Sequence, residues 1–181
     1  MLEESTISQP GWTSVYPNDK REWIADTLMG IFDATKVGTF NYTALLMCIY
    51  DADNTAIAFY EGSKLLVDAW KEKDSSSLFI GLMFVGMGAW GFYAEGLPVC
   101  EHVFTSDLDW SNFEKLGDLF QDKVTAMKSI TDYIIKNDVE VQSEIEKTMN
   151  AFENQEFRSF GFGVGKALSD VAAYDKDLFL H

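Results

Sequence analysis

Apolar residues recur every three or four positions for most of this chain, with charged residues between them, the period of helices that bury one face. From Asn18 or Asp19, either of which can cap a helix, Trp23, Ile24, Leu28, Ile31 and Phe32 keep that spacing until Lys36-Val37-Gly38 ends it. Ala44 to Tyr50 reads as a short apolar helix. A longer one, about Asn54 to Lys73, is expected to turn Ile57, Tyr60, Leu65, Leu66, Ala69 and Trp70 inward, with Lys71-Glu72-Lys73-Asp74 as its solvated end. Further on, Asp107 to Ser111 reads as a helix start before the inner stripe Trp110, Phe113, Leu116 and Phe120. Asp122 to Asn137 presents Val124, Met127, Ile130, Ile134 and Ile135, and Val139 to Phe152 continues through Val141, Ile145 and Met149.

One stretch departs from this alternation. Ser75 to Ala94, SSSLFIGLMFVGMGAWGFYA, holds no charge in a chain of which 24% is charged. It is long enough to be the central helix of a bundle or, as the weaker reading, to cross a bilayer. Its glycines Gly81, Gly86, Gly88 and Gly91 leave smooth patches where neighbouring backbones can approach. The turn that ends it is placed at Gly96-Leu97-Pro98, because proline disfavours a helical residue before it. The last helix, Phe157 to Tyr174, carries Gly161, Gly163 and Gly165 and is expected to pack through them on the Gly81 to Gly91 segment. Arg158, Lys166 and Asp170 weigh against a membrane location for such a pair.

These elements predict an all-α, single-domain bundle of about six to eight helices around the apolar helix 75–97. Residues 1–19 read as an extended arm laid on the body by Trp12 and Tyr16, 20–174 as the bundle and 175–181 as a tail. A weak internal repeat fits the same picture. Ala69-Trp70, Leu78 and Gly81 overlay Ala151-Phe152, Phe160 and Gly163 at a constant offset, as two hairpins packed through glycine faces would.

Composition narrows the function classes. The 47% apolar content excludes disorder, and a formal net charge of −15, spread along the chain, repels phosphate backbones and anionic lipid. No nucleic-acid partner is expected, and no membrane span. The N-terminal MLEESTISQPGW lacks a basic region followed by an apolar run, so no signal peptide is read there; a mature secreted protein would look the same.

Motifs with chemical meaning are sparse. Asp51-Ala52-Asp53-Asn54 has acceptors for a calcium loop, but Ala56 stands where its glycine and Gly62 where its glutamate should be; an N-cap with an acidic first turn is the better reading. Gly161 to Lys166-Ala167 misses the phosphate-binding GxxxxGK[ST] spacing. Glu101-His102 has no second histidine or cysteine at ligand spacing, the other histidine being His181. No carboxylate pair is singled out for acid–base work, so neither cofactor, metal site nor catalytic residue is expected. Asn41-Tyr42-Thr43 is an N-glycosylation sequon, relevant only in the secretory pathway. Cys48 and Cys100 are compatible with one disulfide closing a long loop, or with two buried thiols.

The layout resembles an abundant set of small, secreted, all-helical proteins of ciliates that carry no established activity. The residues in question are Leu28-Met29-Gly30, Cys48 with Asp51, Gly81 and Gly88, Cys100, Trp110-Ser111-Asn112-Phe113, the Ile130 to Asn137 helix, and Phe160-Gly161 through Gly165-Lys166-Ala167-Leu168. The resemblance implies the secretory pathway and a Cys48–Cys100 bridge. The functional expectation is a secreted or surface-associated protein that binds protein partners or self-associates. A carrier of an apolar ligand in the bundle core is the alternative, and a membrane-inserted subunit a further one.

Overall fold

The computed structural model describes residues 17–38, 41–72, 75–100 and 108–180; the side chains of 17–19, 75–79, 99–100, 138 and 175–180 fall outside that description. The predicted arm to Tyr16, His102, Asp107 and His181 also lie outside it. Every described element is helical: α1 (Pro17–Ala34), α2 (Tyr42–Asp51), α3 (Asp53–Lys71), α4 (Ser75–Gly91), a π turn (Phe92–Gly96), α5 (Leu97–Cys100), α6 (Ser111–Phe120), α7 (Lys123–Lys136), α8 (Asp138–Glu153) and α9 (Phe157–Leu180). The expected all-α bundle is the fold. Its boundaries differ at both ends, since Pro17 of the predicted arm opens α1 and the predicted tail continues α9 to Leu180. Proline suits a first helical position, where its missing N–H is not needed.

Two long helix pairs organise the bundle, α1 along α9 and α3 along α4. Both are seamed by glycine. A β-carbon at Gly81 would sit 2.6 Å from the Leu66 Cα, one at Gly88 2.8 Å from the Phe59 Cα, and one at Gly62 2.8 Å from the Phe84 carbonyl oxygen. On the other seam, a β-carbon at Gly30 would lie 2.6 Å from the Phe162 nitrogen and one at Gly165 2.9 Å from the Ile31 Cα. These are backbone atoms, which cannot swing aside. Of the α9 glycines, Gly161 and Gly165 therefore serve α1 and Gly163 serves α8, not α4 as the sequence suggested; α4 and α9 meet only briefly. Gly86 and Gly117 accept rings instead, of Phe120 and Trp90 respectively, and Gly91 faces no atom within 4 Å.

The offset repeat survives at one position. Gly81 faces Leu66 on α3, and Gly163, its counterpart, faces Thr148 on α8, the counterpart of Leu66. The two hairpins do not pack on each other through glycine faces as expected.

The apolar stripes are mostly as read, with errors of phase. Trp23, Ile24, Leu28, Ile31 and Phe32 are buried, as are Phe113, Leu116, Phe120, Ile130, Ile134, Val141 and Met149. On α3 the buried line is Ala56, Phe59, Gly62, Ser63, Leu66, Val67 and Ala69, leaving Ile57, Tyr60, Leu65 and Trp70 half-buried. Small residues in that line carried little hydrophobic signal. Val124 and Ile135, expected inside, are 78% and 64% exposed. Buried hydroxyls close back on their own helix: Thr27 Oγ1 donates to the Trp23 carbonyl at 2.8 Å and Ser63 Oγ to that of Phe59 at 3.0 Å.

Pro98 does not terminate the central helix. The Leu97 N–H reaches back to the Phe92 carbonyl, forming the π turn, and Leu97 itself is helical at φ −60°, ψ −38°. That wider turn places Pro98 in the opening turn of α5, where it is tolerated. Ala52, rather than an aspartate, occupies the junction of α2 and α3 with no side-chain cap, while Asp53 pairs with Arg21 at 3.2 Å. Two aromatic clusters hold the pairs together. Trp23 meets Tyr60, Phe152 and Phe157 edge-on, and Phe32, Trp90, Tyr93, Trp110 and Phe113 form the other.

Candidate functional site

Where α7, α8 and α9 meet, the packing opens into a cleft. Its floor is aliphatic, from Leu66, Leu82, Ile134, Val141, Ile145, Met149, Val164 and Val171, and its rim is polar, from Tyr133, Glu140, Glu144, Thr148, Lys166 and Asp170. Gln155, at φ 60°, lies in the turn from α8 to α9, and Thr148 packs tightly on Gly163, where a β-carbon would overlap its Oγ1. The cleft holds about 60 Å³ open to water. At roughly 10–15 Å³ per water that is a handful of waters.

On the α7–α9 side the rim is internally paired. Lys166 Nζ sits 3.0 Å from Asp170 Oδ2, and the Tyr133 hydroxyl donates to the same oxygen at 3.4 Å. The hydrogen bond to Asp170 raises the Lys166 pKa, keeping it an ammonium. Burial and the Asp170 charge raise that of Tyr133, keeping it a phenol. Neither is a nucleophile at neutral pH. Glu140 and Glu144, four residues apart on α8, line one lip and are exposed. At the α7–α8 junction Ile135 and Val139 face solvent, Val139 at 85% exposure.

A second place is an open trough between α1, α3 and the α8–α9 turn, floored by Trp23, Tyr60, Phe152 and Phe157. Lys20 lies over the Tyr60 ring at 4.7 Å, its pKa lowered by burial, and burial raises that of Asp26. Its lysines and carboxylates are interleaved, and they present no single charge to a ligand.

The residues singled out in the sequence are not brought together at either place, apart from Gly163. Asn41 caps α2, its Oδ1 accepting from the Ala44 N–H at 3.0 Å, on an exposed turn. Cys48 is wholly buried with Sγ 3.9 Å from the Gly96 carbonyl oxygen, and α2 packs against α5, the helix that ends at Cys100. The side chain of Cys100 is outside the described residues. Gly81, Gly86, Gly88, Gly161, Gly163 and Gly165 face protein neighbours within the bundle. The cleft itself was missed because its floor residues belong to several helices that each look like ordinary core. The one clue in the sequence was Lys166, a charge inside an otherwise glycine-rich apolar run.

Among the described residues, no group of three or more histidine, cysteine or acidic side chains could hold a metal ion, and no helix is long and apolar enough to cross a membrane. Compared with known protein families, curated proteins and solved structures, the chain matches none.

Proposed function

We propose that this protein is a non-catalytic helical binding protein, secreted or held at a cell surface, that acts by docking protein partners at the α7–α8–α9 cleft. One observation carries the reading: a small aliphatic recess opens to the surface where α7, α8 and α9 meet, and Ile135 and Val139 are left exposed at the α7–α8 junction. Interfaces concentrate their energy in such anchor pockets.

An extracellular setting is supported by the resemblance to secreted helical proteins of ciliates and by two local features. No described cysteine is a free thiol, and α2 with Cys48 lies against α5, which supports a bridge between Cys48 and Cys100. At Asn41 the helix cap uses Oδ1, whereas a glycan takes the amide nitrogen, so one side chain can serve both. A carrier role is the second reading, favoured by the aliphatic floor. The small volume supports an anchor side chain over a whole lipid, since pockets for drug-sized ligands run to roughly 300–1,000 Å³.

The test is crosslinking of the native protein, alone and in its native surroundings, with and without Ile135→Ser and Val139→Ser, together with light scattering, solvent extraction and lipid mass spectrometry. Crosslinking that disappears in the serine variants supports the reading. A strictly monomeric, non-crosslinking protein that yields a stoichiometric lipid would replace it with the carrier.

A further inference from the structure

The partner's chemistry can be taken one step further, on the reading that the cleft is a docking site. We infer that the cleft receives a basic amphipathic helix from another protein, which plants one apolar side chain in the recess and lays lysines or arginines along the α8 lip.

Three features carry this. The recess is aliphatic and small, about 60 Å³ open to water, and suits one of the apolar side chains that an amphipathic helix presents at helical spacing. The lip is acidic: Glu140 and Glu144 are stacked one turn apart on α8, both exposed, presenting a row that a helix with cations at the same spacing can follow. Lys166, held by Asp170 at 3.0 Å and also drawn by Glu144, is the one cation among the lining residues against Glu140, Glu144 and Asp170, so the rim keeps a net negative charge.

A second copy of this chain is the poorer occupant. It carries the same net charge of −15, and like charges brought together across an interface oppose association and slow encounter. A basic segment is steered in by the same field.

The experiment uses the full chain and three labelled synthetic peptides of about 18 residues, five turns of helix: a Leu/Lys amphipathic helix, its Leu/Glu counterpart, and a Leu/Lys peptide of equal composition with the apolar face scrambled. Fluorescence anisotropy reads affinity, and circular dichroism reads peptide helicity on binding. The Leu/Lys helix should bind about tenfold tighter than either control and gain helicity. Glu140→Lys with Glu144→Lys, both at exposed positions, should remove that advantage and flatten its salt dependence. Ala167→Phe, which fills the recess, should weaken binding about tenfold while leaving salt dependence in place.

Equal binding of the three peptides, or an advantage untouched by both variants, overturns the inference. Should this happen while Ile135→Ser and Val139→Ser still abolish crosslinking, the docking reading stands and only the partner's chemistry falls. Crosslinking that ignores the serine variants as well removes both.

Discussion

Gly161 rests on the backbone of Thr27: a β-carbon at position 161 would overlap the Thr27 carbonyl oxygen and lie 2.8 Å from its carbonyl carbon. This approach sets how closely α1 and α9 pack, because neither partner has a rotatable group to move aside. Thr27 is itself wholly buried, with its hydroxyl tied to the Trp23 carbonyl. The seam is tightened at its edge by Arg158, whose Nε sits 2.7 Å from Asp33 Oδ2.

Gly161→Ala must push the two helices apart, and overpacking of this kind costs about 1–3 kcal/mol or more. Gly91 provides the internal contrast, since a β-carbon there meets nothing within 4 Å. Gly91→Ala removes helix-disfavouring backbone freedom and should stabilise by about 0.5–1 kcal/mol. Chemical denaturation of the two variants checks both signs. Equal effects would mean that the seam is not where the bundle is held.

Tyr93 should limit stability at high pH. It donates to Glu114 Oε2 at 2.9 Å, and burial, with this bond to a carboxylate, pushes its pKa up to about 12. The folded state then holds the phenolic proton more tightly than the unfolded chain, whose tyrosines ionise near pH 10. The associated stability is complete below about pH 10 and lost as pH rises towards 12. Thermal melts from pH 8 to 12 should steepen over that window, and Tyr93→Phe should flatten the decline. An unchanged profile in the variant would assign the alkaline loss elsewhere.

At acid pH the corresponding group is Asp122. Its carboxylate accepts from the Thr125 hydroxyl at 2.9 Å and from the Val124 and Thr125 N–H groups at 2.9 and 3.4 Å, capping α7. These bonds, that from the Thr125 hydroxyl foremost, lower its pKa. Stability from the cap is therefore present above the ordinary carboxylate range and lost as pH falls through the lowered value. Asp122→Asn should keep the cap at pH 7 and weaken the acid dependence, whereas Asp122→Ala should lower Tm at both. Melts at pH 7 and pH 3 separate the two.

Local signals made most of the helices legible. Asp122 ahead of an apolar period marked α7, and Lys36 to Gly38 marked the end of α1, where Lys36 adopts φ 57° and Gly38 φ 133°. Pairing was not legible. Gly161 carries no label saying whether Thr27 or a residue of α4 lies opposite, and Gly30 and Gly62, which face backbone as closely as Gly81 does, went unmarked because each is a lone glycine in a helical run. Pro98 misled because a π turn depends on five residues upstream rather than on the proline's neighbour. The cleft was invisible for a related reason: a gap among helices is a property of their packing, and each of its walls reads as core.

The proposed Cys48–Cys100 bridge gives the last expected outcome. Closing a loop of this length constrains the unfolded chain by roughly 4 kcal/mol in the chain-entropy account. Cys48 is buried, so a serine there would perturb packing as well as linkage, and Cys100→Ser compared with reduction is the cleaner design. If the bridge forms, a reductant lowers the Tm of the parent protein to that of Cys100→Ser and leaves the variant unmoved. Intact mass should rise by two hydrogens on reduction of the parent alone. Alkylation of two cysteines in unreduced, denatured protein would show free thiols, and the long loop would then have to be held by the packing of α2 on α5 without a covalent tie.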